Sequence, residues 1–465
     1  MRQSKRLSAL TAVSLLAGCS MAPAYQKPVV PAAVAYKEVP GWQPAGTAVA
    51  APGKWWQAFG DSTLDGLEDQ LEAGNPSLAA AAARYAEARA RAREARADLF
   101  PQIGAEADYG RSRDSVNRPF SPGTTETYNT ANIGASLSYE LDLFGSVANS
   151  VKAALAEAKA SGSDLAAVRL GLQAALATAY FDMRGLDARI TLLRQTVDAY
   201  GKASDLTNTR HQGGVASGID VSRADAQLAS AKSELDGVLA DRANLEHAIA
   251  ILLGQSPSSF SLAVSDSVLQ PPAVPVGVPS TLLERRPDIA AAERRVYAAN
   301  ARIGVARAAF FPTITLGGAG GFQATQGHNL FSTASSFWAL GPVAAALSIF
   351  DGGARAAQVK ISRAEYDETA ANYRGTVLTA FREVEDDLAL SRQLAAQEQD
   401  QQVAVRAAER TRDLALVRYR DGASDYLDVV TAQTAALDAE RSLLQIHARR
   451  LDTAADLVRA LGGAF

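Results

Sequence analysis

The residue types that could do chemistry are sparse in this chain. His211, His247, His328 and His447 have neither the HExxH spacing nor a cysteine partner, so spacing assembles no metal site and no nucleophile–base pair from them. They read as surface or packing histidines. The Gly317 to Gly321 cluster superficially matches a phosphate loop, but it lacks the Gly-Lys-Ser/Thr ending and lies within a strand pattern, where close backbone packing explains it better. With no convergent acid, base or nucleophile, the sequence does not read as an enzyme. What remains is two charged reversals. Arg210 precedes Gly213-Gly214 and then Asp220; Arg418, Tyr419 and Arg420 precede Gly422, followed by Asp425 and Asp428. Cations at a helix C-terminus, a glycine for the left-handed turn and anions at the next N-terminus make the minimal reading helix capping.

The one cysteine, Cys19, cannot form an internal disulfide. It follows Arg2, Lys5, Arg6 and an apolar run from Leu7 to Gly18, which is a secretory signal pattern too short to cross a bilayer. Leu16-Ala17-Gly18-Cys19 resembles the bacterial lipobox, whose cysteine receives a diacylglyceryl group and becomes the mature amino terminus. Ser20 stands where an inner-membrane retention aspartate would be, so the expected address is the outer membrane. A formal net charge of −4 leaves no cationic excess for nucleic acid. Pro23 to Pro52 is rich in Pro, Ala and Val and reads as an extended tether. No later segment has eighteen apolar residues in a row, so no transmembrane helix is expected.

The elements that must position the two charged reversals are written twice. Pro76 and Pro287 are 211 residues apart, as are Pro101 and Pro312; downstream the offset is 208, for Leu206 with Leu414, Arg210 with Arg418, Gly214 with Gly422, Asp220 with Asp428 and Gly254 with Gly462. A register kept this long marks an internal duplication. Each copy opens with a helix bracketed by proline, about Ser77 to Leu99 and about Asp288 to Phe310. Next comes period two: Ile103, Ala105, Ala107 and Tyr109 interleave with Gly104, Glu106, Asp108 and Gly110, and Ile133, Leu137, Tyr139 and Leu141 with Asn132, Ser136, Ser138 and Glu140. In the second copy Ile314, Leu316 and Phe322 alternate against Thr313, Thr315 and Gln323, whereas Ser336 to Ile349 alternates poorly and contains Pro342. Long proline-free helical patterns follow, about Ser146 to Gln212 and about Gly353 to Arg420, each roughly 100 Å at ~1.5 Å per residue. Each turns at glycine and returns to Gly254 or Gly462 as an antiparallel hairpin.

Four amphipathic strands cannot close a membrane barrel alone, because every backbone group must be satisfied and single-chain barrels begin at about eight strands. The chain is therefore expected to oligomerise, two copies giving eight strands and three giving twelve. The helices are dominated by Ala, with scattered Leu and Val and no strict heptad. A hollow helical wall fits this pattern better than a solid coiled-coil bundle.

Four segments carry a resemblance to a known family: Lys54-Trp55-Trp56-Gln57-Ala58-Phe59-Gly60-Asp61, Leu282-Leu283-Glu284-Arg285-Arg286-Pro287-Asp288-Ile289, Ala308-Ala309-Phe310-Phe311-Pro312 and Ile349-Phe350-Asp351-Gly352-Gly353. Over essentially all the mature chain the sequence resembles the TolC-like outer-membrane factors, in particular their OprM and NodT-type efflux lipoproteins. The resemblance implies a mainly α, internally duplicated protomer with a membrane β-barrel contribution: a homotrimer with a twelve-stranded barrel, a helical barrel crossing the periplasm and a mixed equatorial belt. The belt would take residues near Trp55 to Leu71, Ser256 to Leu283 and the chain end. The implied organisation is a signal peptide (1–18), an acylated tether (19–55), a first repeat (56–254), an equatorial linker (255–284) and a second repeat (285–465).

The resemblance also implies that the charged reversals form the periplasmic tip. Copies of each aspartate would then approach the axis, offset by Arg partners or bound cations, and a gate would draw on Arg210, Asp220, Arg418, Tyr419, Asp425 and Asp428. Thr431 stands where related lipoproteins have a constriction aspartate. The expected function is a passive exit duct for drugs or other small toxic solutes, docked on a membrane-fusion adaptor and a resistance-nodulation-division pump. Apart from the lipid on Cys19, no cofactor or metal is expected. Two rivals are the exit channel of a type I protein-secretion system and a purely structural envelope lipoprotein. Only Met1, Met21 and Met183 are methionines, so no thioether ladder points to soft metals as cargo.

Overall fold

A computed structural model describes residues 20–31, 35–38, 53–117, 119, 123–125, 127–265, 267–272, 274, 285–325 and 329–463. The leader, Cys19, His328 and residues 266, 273 and 275–284 of the segment joining the repeats lie outside these residues. The elements run α1 (Ser62–Gly74), α2 (Pro76–Ala97), β1 (Gln102–Arg113), β2 (Thr127–Leu141), α3 (Ser146–Gln212), α4 (Gly218–Leu252), α5 (Pro287–Ala308), β3 (Thr313–Ala324), β4 (Ser336–Ala346), α6 (Ala354–Arg420) and α7 (Tyr426–Ala460). The duplication is visible in element lengths: α2 and α5 have 22 residues each, α3 and α6 have 67, and α4 and α7 have 35. None of the described helices is long and apolar enough to cross a membrane.

The chain divides into two compact units, and each draws on both repeats. The first unit contains the sheet, four antiparallel strands in the order β1-β2-β3-β4. Its register gathers the alternating side chains as expected. Ile103, Leu137, Gly318 and Leu340 form one cross-strand row, and Tyr139, Leu316 and Val343 form another on the same face. The opposite face carries Asp108, Asn132 and Gln323, with Asn132 Nδ2 donating to Asp108 Oδ2 at 2.9 Å.

The poor alternation of β4 has a specific cause. The register slips between Leu316 and Gly318, opposite Gly341-Pro342, so one extra residue is absorbed there. That bulge puts Trp338 and Leu340 on the same face as Val343 and Ala345. Proline, lacking an N–H, is tolerated because β4 pairs only with β3 and lies at the sheet edge.

The segment after Cys19 is extended, as expected, but it is not free. Within the first unit it runs antiparallel to α5. Arg307 donates to the Met21 carbonyl at 3.3 Å, Asn300 to the Pro23 carbonyl at 2.9 Å, and the Tyr25 hydroxyl to Glu293 at 2.5 Å. Gly304 permits this path, since a Cβ there would lie 2.7 Å from that of Ala22.

In the second unit the core is built around Trp55, Trp56 and Phe59, which pack with Leu64, Leu67 and Leu71 of α1 against Tyr180 and Phe181 of α3, Ile249 of α4 and Leu451 and Val458 of α7. Asp61 caps α1 by accepting from Thr63 and Leu64, and also accepts from the Tyr180 hydroxyl at 2.7 Å. Arg286, nearly buried, donates to Asp288, Glu383 and the Ala460 carbonyl, which ties the start of α5 to α6 and the end of α7. These contacts account for two of the four family-like segments.

Glu68 is fully buried in this unit, and neither of its carboxylate oxygens has a hydrogen-bond partner among the described residues. Burial pushes its carboxyl up to about 9, and the nearby Glu72 and Asp69 add to the shift. The acid is thus neutral when folded and ionised when unfolded at neutral pH. Its contribution is unaltered below the unfolded value near 4.5 and becomes steadily less favourable as pH rises toward 9. At pH 7 the penalty is about 3 kcal/mol. Glu68→Gln is therefore expected to raise the melting temperature at pH 8 by several degrees and to leave it unchanged at pH 4, as scanning calorimetry across that range would report.

Candidate functional site

Both charged reversals belong to the second unit, and the sequence explains the local geometry of each. At the first, the Gly213 N–H donates to the Thr209 carbonyl at 3.1 Å and Gly214 takes φ 75°, which closes α3 in the left-handed manner glycine favours. Ser217 then caps α4 and forms a reciprocal pair with Asp220, whose Oδ2 accepts from the Ser217 N–H at 3.1 Å. Arg223 lies 3.7 Å from the same carboxylate. His211 Nδ1 donates to the Ala216 carbonyl at 2.8 Å, a turn-bracing role.

At the second reversal Gly422 has φ 77° and the Ala423 N–H donates to the Arg418 carbonyl at 2.8 Å. Asp425 caps α7 by accepting from the Asp428 N–H at 3.2 Å. Asp220, Asp425 and Asp428 thus sit at helix starts, the positions capping assigns them.

Arg210 does something capping does not require. Its guanidinium leaves its own hairpin and donates to the Tyr419 carbonyl at 2.7 Å and the Arg420 carbonyl at 3.3 Å, at the C-terminal end of α6. It also lies 4.6 Å from the centroid of the Tyr419 ring. Tyr419 is buried, meets Tyr426 edge-on at 5.2 Å, and its hydroxyl donates to Thr207 at 3.4 Å. Ala224, Tyr419, Tyr426 and Val429 form an apolar cluster that joins the two hairpin ends beneath these polar contacts. Burial, reinforced by Tyr419, Tyr200 and the Asp220 and Asp225 carboxylates, pushes the Tyr426 hydroxyl up to about 12, so it stays neutral.

Of the six residues singled out in sequence, Arg210 and Tyr419 are therefore brought together, with Arg210 reaching backbone carbonyls rather than an aspartate. Arg418, Asp425 and Asp428 are exposed, and their side chains make no contact across the hairpins among the described residues. Sequence reading missed Thr207, Tyr426 and the Ser204 hydroxyl, which donates to Asp225 at 2.7 Å. Only Tyr426 left a signal, an aromatic directly after the Asp425 cap. Among the described residues no group of three or more His, Cys, Asp or Glu side chains is placed to hold a metal ion.

Two hairpins of matched length locked tip to tip in the second unit, and an amphipathic four-stranded sheet with open edges in the first, describe one half-repeat architecture used twice. The profile of outer membrane efflux proteins matches residues 67–255 and 278–463. The chain belongs to the outer membrane efflux protein family. It is 35% identical over 468 residues to the probable efflux pump outer membrane protein TtgC of Pseudomonas putida, covering 99% of this chain and 95% of that one. It is 34% identical to the outer membrane protein OprJ of Pseudomonas aeruginosa, covering 99% and 96%. The solved outer-membrane channel OprN superposes with a TM-score of 0.89 at 30% identity, covering 96% of this chain and 99% of that one.

Membership places this protein in the outer membrane and in a family of efflux channels rather than enzymes. The TolC-like fold expected from the four quoted segments is the fold found. Arg210 and Tyr419 are accordingly residues of an efflux-protein hairpin tip.

Proposed function

We propose that this protein is the passive outer-membrane exit duct of a tripartite efflux system for drugs or other small toxic solutes. Three copies contribute four strands each to one barrel, and six hairpin tips close its periplasmic end. An adaptor engages the tips, and an inner-membrane pump of the resistance-nodulation-division class supplies the energy. The lipid on Cys19 anchors each copy to the same membrane. The observation that carries this reading is the four-stranded sheet with an apolar and a polar face and an unpaired edge on both β1 and β4. Such a sheet is stable in lipid only when further copies complete the ring. The efflux names of TtgC and its relatives favour small solutes over secreted proteins as cargo.

Single-channel recording of the purified protein in planar bilayers tests the proposal. Small, cation-selective currents that rise in an Asp425→Ala, Asp428→Ala double variant support both the duct and an acidic tip. Unchanged currents leave the duct in place and return the two aspartates to capping. An absence of current in both proteins favours the structural lipoprotein and rejects the duct.

A further inference from the structure

In the second unit the segment after α4 is held down by three cationic side chains that donate to its backbone carbonyls. Arg242 donates to Leu262 at 2.7 Å and Arg184 to Ala263 at 2.9 Å, both from the first hairpin. The third fastening comes from the second hairpin, where His447 Nε2 donates to the Leu269 carbonyl at 2.8 Å. Leu269 is itself buried, in the same apolar core as Leu451 and Ala454 of α7. The segment thus straps one hairpin to the other. Two of its fastenings are permanent, because a guanidinium does not deprotonate in proteins. Histidine is the side chain that loses its charge near neutral pH.

His447 meets an acceptor on each side. Its Nδ1 lies 2.8 Å from a Glu398 oxygen of α6, while Nε2 faces the Leu269 carbonyl. A carboxylate and a carbonyl only accept, and a neutral imidazole has a single N–H, so both contacts are hydrogen bonds only in the imidazolium form. Glu398 does not supply the missing proton. Burial alone would raise its carboxyl, but the hydrogen bonds from His447 and Arg450 hold it below its usual range. Few other charges face the ring. Arg450 pairs with the second Glu398 oxygen, and the other residues one turn away on α7, Leu443, Leu444 and Leu451, are apolar. On α6 no titratable residue stands one turn either side of Glu398, and residues 267–272 of the strap contain none. A second titratable pair, Asp452 of α7 with Asp182 of α3, belongs to the seam where Gly185 approaches Ala448; burial, then Asp182 and Asp456, raises the Asp452 carboxyl.

We infer that His447 is a proton-operated clasp that fastens the strap to the second hairpin and releases it as pH rises. When the imidazolium gives a proton to solvent, one N–H remains, and the charged Glu398 is the stronger acceptor for it. The bare Nε2 lone pair then faces the Leu269 carbonyl and the two repel. The fastening is therefore present at the lower end of the range in which histidine titrates, about pH 5 to 8, and lost toward its upper end. The freed stretch borders an open groove beside Phe59 and Asp61, which gives it room to move. The arginine fastenings at Leu262 and Ala263 are untouched by the same change. The clasp stands apart from the duct proposed above, since all its parts lie within one unit.

The test places a nitroxide spin label on the full chain through Val268→Cys, beside the clasp, or Val264→Cys, beside the arginine fastenings. Both positions are exposed, and the parent chain carried through the same labelling gives any background from Cys19, the only native cysteine. Between about pH 5.5 and about pH 8.5 the mobile fraction of the spectrum at 268 is expected to rise roughly threefold or more, while that at 264 stays constant. In His447→Gln, which has no titrating ring, the label at 268 is expected to be mobile at both pH values. The comparison of 268 with 264 needs no substitution at His447, so it decides even where that variant fails to fold. An unchanged spectrum at 268 overturns the clasp. Equal loosening at both positions also overturns it, because the unit as a whole then yields to pH. A rise at 268 that persists in His447→Gln overturns the assignment to His447 and moves it to the Asp182 and Asp452 pair.

Discussion

Arg210→Ala is expected to raise single-channel conductance several-fold and to lengthen open events. The guanidinium makes two hydrogen bonds to carbonyls at the end of α6 and stacks on Tyr419, all from the neighbouring hairpin. Charge-assisted hydrogen bonds are each worth about 1.5–3 kcal/mol and an exposed cation–π contact about 0.5–1 kcal/mol. Even a net loss of about 3 kcal/mol between closed and open tips shifts their ratio by roughly a hundredfold. Arg210→Lys keeps the charge but not the fork, so an intermediate conductance is expected. Wild-type currents in both variants would show that the contact packs the tip without holding it shut.

Asp187→Ala is expected to destabilise the second unit by about 3–5 kcal/mol, the cost of breaking a buried ion pair from one side. Asp187 is fully buried and accepts from Arg184 at 2.7 Å, Arg242 at 2.6 Å and the Ser265 N–H at 3.2 Å. The same two arginines donate to the Ala263 and Leu262 carbonyls at 2.9 and 2.7 Å, so the cluster binds the loop after α4 to α3 and α4. Without the carboxylate two guanidinium groups face one another in the interior. The measurable result is a much shorter half-life on heating and early protease cleavage between residues 262 and 267. Asp187→Asn, which keeps an acceptor but not the charge, should fall between. An unaltered half-life in the alanine variant would mean that solvent reaches the cluster.

Much of this architecture was legible because its signals are local and repeated. Proline fixed the edges of α2 and α5 to within two residues, and the 208-residue offset aligned both glycine turns. Period two gave β1, β2 and β3. β4 resisted because Trp338 and Leu340 are out of phase with Val343 and Ala345, and only pairing with β3 shows that a bulge restores the phase. The docked segment at residues 20–27 was illegible for a different reason. Its partners Glu293 and Asn300 lie more than 260 positions away, and extended chain has no periodicity to betray what it touches.

At the tip, residue types gave the caps correctly but not the reach of Arg210. The offset pairs it with Arg418, and two residues equivalent by duplication need not do the same thing. Arg210 crosses to the other hairpin, whereas Arg418 projects outward. The buried Asp187 cluster left no sequence trace, since an aspartate three residues after an arginine on a helix is ordinarily a solvated pair.

The open edges of β1 and β4 have a genetic consequence. If three copies complete one ring, a subunit that folds but has a damaged β1 edge does not merely fail; it enters rings and spoils them. Mixed in equal amounts with normal subunits at random, it leaves roughly one ring in eight intact. Such an allele would be dominant over the normal copy, while an allele that prevents folding altogether would be recessive.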